Sequence, residues 1–329
     1  MSKSYLTCFF FGNLVKKGVI AEVLRSDLVV EPRLRLITAS TVEELVSSPH
    51  WGQIEILIPF VQKPELVSAV MNSNPIKWVH SFSAGVDRLL IPEIIQTDVP
   101  FTNARGAYNL ALKEYVITAI LHFEKQVQKL MECKAARNWD MFYMSRASGK
   151  RLGILGYGSI GRDIAQAAKL GLGMEIVAIK KRSTGSVEFA DEVHLSTDLH
   201  SVLPTLDYLA MCLPATPDTD NIIGEPEIRL MKPSAVIINI GRGNAVEEGA
   251  LSTALHEGRL KGAALDVYKI EPLPADHFLW ETPRLLMSYH NADFTEDLLS
   301  LSIRTLMRNF NEFYQGKPLV TPVDKQAGY

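Results

Sequence analysis

The chain has 329 residues, of which 47% are hydrophobic and 22% are charged, a composition typical of a soluble globular protein. This length is too great for one comfortable hydrophobic core, so we expect two domains, which leave room for a cleft. The 34 basic and 37 acidic residues give a formal charge of -3, which gives no reason to expect nucleic acid as a partner.

The amino terminus and the cysteines indicate the compartment. The stretch SKSYLTCFFFGN lacks the basic leader, the long apolar core and the small-residue cleavage site of a secretory signal, and no apolar run is long enough to cross a bilayer. Cys8, Cys133 and Cys212 are far apart and lack the paired spacing of a zinc site. We therefore expect a cytoplasmic protein with no membrane partner and no metal.

The first hundred residues alternate apolar, strand-like runs with helical segments, which is the pattern of an α/β domain. The expected first strand extends from Tyr5 to Phe11, and later strand-like runs are RLRLI, EILIPF, IKWVHS and DVPFTN. A long helical stretch from Ala107 to Gln128 follows them, and it is long enough to connect two domains.

A second strand–helix series begins at Gly149, with strands expected at LGIL, EIVAI, Tyr208 to Leu213, Ala235 to Ile240 and Gly262 to Val267. The tail from Thr295 to Gln315 has the pattern of an amphipathic helix, ended by Gly316 and Pro318 and capped by Thr295 and Asp297. We expect this helix to return to the first domain.

Residues 152–161, LGILGYGSIG, join a buried strand to the helix at Asp163 to Leu170 through a glycine turn. The first glycine permits a tight turn, the second lets the backbone approach a phosphate, and the third lets the helix press on the strand. The alternative is a glycine-rich turn without a ligand. The expected contacts to a dinucleotide pyrophosphate are Gly156, Gly158, Ser159, Ile160 and Gly161.

Three ionisable residues come just after apolar strands, where open α/β sheets present ligand-binding groups: Arg242 in NIGRGN, Glu271 in DVYKIEPLP and His290 in SYHNAD. Each alone has an ordinary structural explanation, as an ion-paired surface arginine, a loop glutamate or a structural histidine. Together they supply what reduction of a 2-oxo acid requires. A guanidinium binds a carboxylate through two bonds, an imidazolium donates a proton to the carbonyl oxygen, and a carboxylate keeps that imidazolium charged.

These motifs resemble those of the D-isomer-specific 2-hydroxyacid dehydrogenase family, in particular its glyoxylate/hydroxypyruvate reductases. The resemblance covers nearly the whole chain, with SFSAGVD at 81–87, GYGSIG at 156–161, LPATPDT at 213–219, the segment from Met231 to Val246, GAALDVYKIEPLP at 262–274 and LWETPRLLMSYH at 279–290. It implies an α/β fold in which a Rossmann-type, doubly wound parallel sheet is inserted into a smaller flavodoxin-like domain. The boundaries we expect are 1–104 with 291–329 for the substrate-binding domain and 105–290 for the dinucleotide-binding domain.

The resemblance also implies roles for individual residues. Arg242, Glu271 and His290 match the catalytic set of the family. Ser83, Ala84 and Gly85 match a loop whose N–H groups, together with Arg242, bind the substrate carboxylate. Asp266 is expected to accept a hydrogen bond from the nicotinamide carboxamide, with Pro214 and Thr216 beside the adenosine. Relatives form dimers, so we expect a homodimer that acts on a small 2-oxo or 2-hydroxy acid.

One departure concerns the cofactor. Where relatives that use NAD carry an acid for the ribose 2′-hydroxyl, this chain has Lys180, Lys181 and Arg182. A basic cluster attracts a 2′-phosphate that an acid would repel, which favours NADP(H) and leaves NAD(H) possible. The alternative is a solvated basic strand end.

Two other functions remain open at this point. Formate dehydrogenases share the fold, but the relatives that oxidise formate resemble this chain with glutamine in place of Glu271. A cofactor-sensing scaffold or corepressor of the same fold would retain the nucleotide site without needing turnover. Substrate identity stays undecided because Phe60, Tyr108 and Trp139 are as well explained by packing as by a pocket.

Overall fold

The computed structural model describes residues 4–10, 31–39, 41–60, 62–182 and 187–328. The chain divides into two compact units, Met1–Tyr108 with Thr295–Tyr329 and Asn109–Phe294. Within the described ranges, no helix is both long and apolar enough to traverse a bilayer.

The first unit contains a parallel five-stranded sheet with the order β2-β1-β3-β4-β5. In chain order its elements are β1 Tyr5–Phe10, β2 Leu34–Ala39, α1 Val42–Val46, β3 Ile56–Pro59, α2 Pro64–Ser73, β4 Trp78–His80, α3 Pro92–Ile95 and β5 Phe101–Thr102.

The second unit contains a parallel seven-stranded sheet with the order β12-β11-β10-β9-β6-β7-β8. Its elements are α4 Asn109–Glu124, α5 Val127–Ala135, β6 Arg151–Leu155, α6 Ser159–Leu172, β7 Glu175–Lys180, β8 Glu192–Leu195, α7 Leu199–Val202, β9 Tyr208–Met211, α8 Glu225–Leu230, β10 Val236–Asn239, α9 Glu248–His256, β11 Gly262–Leu265 and β12 Leu285–Met287. The tail helix α10, Leu298–Tyr314, belongs to the first unit.

The sheet of the first unit is covered on both faces. Along β3 the side chains alternate, so that Ile56 and Ile58 join a cluster with Phe310 of α10, while Leu57 joins a second cluster with Leu66 of α2. The tail helix therefore supplies one of the two layers that cover this sheet.

The order of the strands in the second sheet reverses at β6, which pairs with β7 on one side and with β9 on the other. Every residue of β9, β10 and β11 is buried, as expected for parallel strands with both faces covered. Ligands of open α/β sheets bind outside the carboxyl ends of the strands at such a reversal, which is where the glycine turn after β6 lies.

Several local expectations need correction. The helix expected over 107–128 is interrupted, because Gln126 adopts a left-handed conformation (φ 50°) between α4 and α5. Asp297 occupies the N-cap of α10 without a capping bond, since its backbone is helical rather than extended. Thr295 instead donates to the Asp297 carboxylate at 2.8 Å.

Two expected boundaries also change. Strand β1 ends at Phe10, and Phe11 lies outside the described residues. Helix α6 begins at Ser159, four residues before the expected start. The edge strand β8 was not expected from the sequence, because none of its four residues is fully buried and they form no apolar run.

Candidate active site

The loops that carry the expected site residues of the second unit all leave the same edge of its sheet. Every strand pair is parallel, so the carboxyl ends of the strands lie together. The loops concerned follow β6 (Gly156), β7 (Lys181), β9 (Pro214), β10 (Arg242), β11 (Glu271) and β12 (His290).

The glycine turn after β6 has the close packing that its spacing predicts. Gly156 has φ 97°, and a Cβ there would lie 2.7 Å from the Cys212 carbonyl oxygen. A Cβ on Gly161 would lie 2.6 Å from the Gly156 carbonyl oxygen, which is too close for any side chain. A Cβ on Gly158 would meet no atom within 4 Å, so this glycine faces open space.

Helix α6 presents unused donors beside that space. Its first intrahelical bond runs from the Arg162 N–H to the Gly158 carbonyl at 3.0 Å. The N–H groups of Ser159, Ile160 and Gly161 therefore have no acceptor within the helix. Amide donors and the helix dipole at this end favour an anion, so the turn fits a pyrophosphate.

The loop that carries Arg242 is fixed by the buried side chain of Asn239, which is 1% exposed. Asn239 Nδ2 donates to the Arg242 carbonyl at 2.9 Å, and Asn239 Oδ1 accepts from the Gly241 N–H at 3.0 Å. The backbone of Gly243 then packs directly on the next loop, because a Cβ there would lie 1.9 Å from the carbonyl carbon of Tyr268. Two loops with candidate catalytic side chains are thus in contact.

Glu271 and His290 form a hydrogen-bonded ion pair, with 2.7 Å between Glu271 Oε2 and His290 Nδ1. The other oxygen of Glu271 accepts from the Tyr268 N–H at 2.9 Å, which fixes the carboxylate. The His290 side chain is 45% exposed and that of Glu271 is 25% exposed. The imidazole is therefore anchored on one side and accessible on the other.

The electrostatics of this pair favour a charged imidazole. The hydrogen bond that His290 donates to Glu271 raises the pKa of His290 above its usual value, helped by the charge of Glu271 and opposed by burial and by the charge of Arg242. For Glu271, burial acts to raise the pKa, but the hydrogen bonds from His290 and Tyr268 outweigh it and hold the pKa below the usual value.

His290 itself has a left-handed backbone, with φ 52°. Its N–H donates to the Asp266 carbonyl at 2.7 Å, and Asp266 Oδ1 accepts from the N–H groups of Asn291 at 3.0 Å and Ala292 at 3.1 Å. Asp266 is 2% exposed, and these three bonds hold the segment that follows β12. Its expected contact with a nicotinamide carboxamide stays a prediction.

Asp293 is a further ionisable group at this site that the sequence analysis did not identify. It lies in a turn closed by a 3.0 Å bond from the Phe294 N–H to the Asn291 carbonyl. Burial raises the pKa of its carboxyl, while the charges of His290 and Arg242 act in the opposite direction. A carboxyl residue three positions after an expected catalytic histidine gives no recognisable signal in one sequence.

The loop expected to bind the substrate carboxylate lies in the first unit, after β4. The Ala84 carbonyl accepts from Asn103 Nδ2 at 2.7 Å, and the Gly85 carbonyl accepts from Gln62 Nε2 at 2.7 Å. Ser83, Ala84 and Gly85 are partly buried. Both carbonyls are thus held by side chains, and no acceptor for the N–H groups of Ala84 and Gly85 occurs among the described residues.

The residues expected beside the adenosine lie after β7 and β9. Pro214 and Thr216 are partly buried and belong to a loop closed by Thr219, whose hydroxyl donates to the Pro214 carbonyl at 2.8 Å and accepts from the Thr216 N–H at 2.9 Å. Lys181 Nζ lies 2.7 Å from Asp218 Oδ2, and both side chains are more than half exposed.

Lys180 is partly buried at the end of β7, and Arg182 is exposed just after it. The basic cluster therefore lies beside the glycine turn, since β7 is the neighbour of β6 in the sheet. A parallel sheet with this turn, free helix donors and strand-end cations is a nicotinamide-dinucleotide-binding fold.

Comparisons with known proteins agree with this class. Residues 117–292 match the model described as D-isomer specific 2-hydroxyacid dehydrogenase, NAD binding domain. Glyoxylate/hydroxypyruvate reductase A of Escherichia fergusonii is 30% identical over 268 residues, covering 79% of this chain and 84% of that protein.

Solved structures are similar over almost the whole chain. A D-isomer specific 2-hydroxyacid dehydrogenase family protein from Aeromonas salmonicida is 30% identical, with a TM-score of 0.81 over 98% of this chain and 100% of that one. The NADPH-dependent glyoxylate/hydroxypyruvate reductase from Sinorhizobium meliloti, in complex with NADP and sulfate, is 26% identical, with a TM-score of 0.85 over 99% and 100%.

The chain belongs to the D-isomer-specific 2-hydroxyacid dehydrogenase family. It is an NAD(P)-dependent oxidoreductase of 2-oxo and 2-hydroxy acids, with a Rossmann-type fold.

Proposed function

We propose that this enzyme reduces a small 2-oxo acid to a D-2-hydroxy acid with NADPH. The observation that carries the proposal is the 2.7 Å contact between Glu271 and His290 at the strand edge that also bears the glycine turn and Arg242. A charged, partly exposed imidazole held in this way suits proton donation to a substrate carbonyl.

A bound reduced nicotinamide supplies the hydride. His290 Nδ1 is bonded to Glu271, so the opposite ring nitrogen, Nε2, donates the proton to the substrate carbonyl oxygen. Glu271 keeps the imidazole charged and oriented before the transfer. Arg242 binds the substrate carboxylate with its planar pair of donors, which a lysine does not offer.

The choice of substrate follows the relatives named above, which are glyoxylate/hydroxypyruvate reductases. We assign substrate binding to the first unit through Ser83, Ala84 and Gly85, and cofactor binding to the second. In this assignment Asp266 accepts a hydrogen bond from the nicotinamide carboxamide, and Pro214 and Thr216 lie beside the adenosine.

The preference for NADPH is supported by charge. Lys180, Lys181 and Arg182 stand at the end of the strand next to the glycine turn, where an acid would be needed for the ribose hydroxyl of NAD. The Sinorhizobium meliloti enzyme, which has a similar structure, is described as NADPH-dependent. NAD(H) remains the alternative cofactor.

We also propose a homodimer. The segment after α5 exposes three large side chains, with Trp139 at 92%, Met141 at 87% and Tyr143 at 99%. The hydrogen bond from Gln126 Nε2 to the Tyr143 carbonyl, at 2.7 Å, holds the base of this segment. Large exposed apolar groups on a held segment are typical of a subunit interface.

The test is turnover on glyoxylate, hydroxypyruvate, pyruvate and an aromatic 2-oxo acid, followed by loss of NADPH absorbance. We expect reduction of the small acids, and a fall of about 10²–10⁴-fold in turnover for His290→Gln with NADPH binding retained, because only the proton donor is removed. Tight NADPH binding without turnover on any acid would favour the scaffold function. A His290→Gln variant with nearly full activity would show that the proton comes from another group.

A further inference from the structure

We propose that Ser288 and Tyr115 are positioning residues for His290 that act through the carboxylate of Asp266. This inference rests on the proposed role of His290 as proton donor. Ser288 lies within the motif LWETPRLLMSYH but has no role assigned to it there, and Tyr115 lies outside every quoted motif, 173 positions away in the chain.

The contacts form a short chain within the second unit, in which Asp266 is buried and Ser288 and Tyr115 are partly buried. Ser288 Oγ lies 2.7 Å from Asp266 Oδ1 and 2.8 Å from the hydroxyl oxygen of Tyr115 on α4. A serine hydroxyl has one proton and a carboxylate only accepts, so Ser288 donates to Asp266 and Tyr115 donates to Ser288. Burial raises the pKa of Tyr115 to about 12, so its hydroxyl keeps the proton that it donates.

Asp266 connects Ser288 to the segment that carries His290. The oxygen that accepts from Ser288 also accepts from the N–H groups of Asn291 and Ala292, and the Asp266 carbonyl accepts from the N–H of His290. Four bonds to one residue thus hold positions 288, 290, 291 and 292.

This bracing is needed because His290 has a backbone conformation that residues other than glycine rarely adopt. Such a conformation persists only where its surroundings determine it. If the segment relaxed, the imidazole would move away from Glu271. The hydrogen bond between the two side chains, which is the largest cause of the raised pKa of His290, would then be lost. The charged groups that act on His290 are Glu271, Arg242, Asp266 and Asp293.

Ser288→Ala tests the proposal. The His290 pKa is measured by NMR of ¹³C-histidine-labelled enzyme, with the His290 signal assigned by its loss in His290→Gln. We expect the His290 pKa to fall, because the ring separates from Glu271, and the single-turnover rate at neutral pH to fall by about tenfold or more. The dissociation constant of NADPH should stay within about twofold, since a 1 Å displacement affects the reaction more than binding of the cofactor.

Three further variants separate positioning from general stability. Ser252→Ala removes a buried hydroxyl that bonds Thr282 at 2.8 Å elsewhere in the same unit, and it should leave the His290 pKa unchanged. Ser288→Thr keeps the hydroxyl and should restore the pKa and the rate. Tyr115→Phe removes only the outer bond and should shift the pKa in the same direction by less.

The proposal is overturned if Ser288→Ala or Tyr115→Phe is merely less stable while its His290 pKa and rate match the parent enzyme. It is also overturned if the loss appears in NADPH affinity rather than in the rate. Failure of the proposed function is distinguishable, because it appears as activity in His290→Gln, whereas the NMR titration needs no turnover.

Discussion

Glu271 sets the range of pH over which His290 stays protonated. In the proposed mechanism reduction requires a charged imidazole, and the hydrogen bond that His290 donates to Glu271 raises the pKa of His290. The charged form therefore persists to higher pH than it would for an isolated histidine. The same pair stabilises the folded state above the lowered pKa of Glu271 and below the raised pKa of His290.

We predict that Glu271→Gln moves the decline of the single-turnover rate to lower pH, because the neutral amide no longer raises the pKa of His290. The measurement is the single-turnover rate with NADPH from acid to alkaline pH. Glu247→Gln, a charge-matched change at an exposed residue of the same unit, is the control and should leave the profile in place. An unchanged profile in Glu271→Gln would contradict the assigned role of the pair.

A second prediction concerns the basic cluster after β7 and the choice of cofactor. Replacing Lys181 and Arg182 with alanine should raise KM for NADPH by about tenfold or more and KM for NADH little, because only NADPH carries a 2′-phosphate whose charge-assisted bonds are lost. Initial rates with each cofactor measure this. Arg229→Ala, which removes an exposed arginine paired with Glu225 at 2.6 Å, is the control.

The salt bridge between Lys181 and Asp218 provides a second variant, for which the expected change in KM for NADPH is a decrease. Asp218→Asn removes an acid that competes with a 2′-phosphate for Lys181, so KM for NADPH should fall. Both side chains are exposed, so we expect a change of about two- to fivefold. Equal increases in KM for NADPH and NADH on replacing Lys181 and Arg182 with alanine would contradict the NADP(H) assignment.

At the scale of elements, the site is held together by contacts between loop backbones. Gly243, after β10, packs against Tyr268, after β11, so closely that no Cβ fits between them. The loop with Arg242 and the loop with Glu271 are therefore packed directly against each other. This arrangement places the Arg242 guanidinium near the Glu271 carboxylate and the His290 imidazole, since its charge acts to lower the pKa of both groups.

We predict that Gly243→Ala separates these loops and lowers kcat/KM by about a hundredfold, while costing roughly 1–3 kcal/mol of unfolding free energy from overpacking. Steady-state kinetics and urea unfolding measure the two effects. Gly249→Ala is the matched control, because a Cβ at that helical glycine meets nothing within 4 Å and should be neutral or stabilising. A fully active Gly243→Ala enzyme would show that the contact does not position the site.

At the scale of the whole molecule, the segment after α5 supports an association between copies. Trp139, Met141 and Tyr143 are almost fully exposed among the described residues, so their apolar area is available to another surface. Lys129 lies 4.0 Å from the centre of the Phe142 ring and forms a 3.0 Å salt bridge with Asp140. The segment is thus ordered before association, which lowers the entropic cost of binding.

We predict that the parent enzyme is a dimer and that the double variant Trp139→Ser with Tyr143→Ser shifts it to monomer, with a loss of about tenfold or more in association constant. Light scattering during size-exclusion chromatography measures the mass. Leu170→Ser, at a side chain that is 70% exposed on α6, is the control and should remain dimeric. A monomeric parent enzyme would contradict the proposal.

The sequence by itself determined the family, the α/β class and the identity of the strand-end residues. These features are local: glycine spacing fixes a turn, apolar runs fix buried strands, and in a parallel sheet the residues after the strands meet at one edge. The glycine turn of LGILGYGSIG and the positions of Arg242, Glu271 and His290 just after apolar strands follow from the residue pattern alone.

Only the tertiary structure decided how those residues are held. Tyr115 and Ser288 support the site through bonds that join distant parts of the chain, and a single sequence carries no signal of such pairs. The residue pattern likewise did not predict the helix break at Gln126 or the left-handed backbone of His290. The physical reason is that periodicity reports which face of an element is buried, whereas conformational strain and hydrogen-bond partners depend on what packs against it.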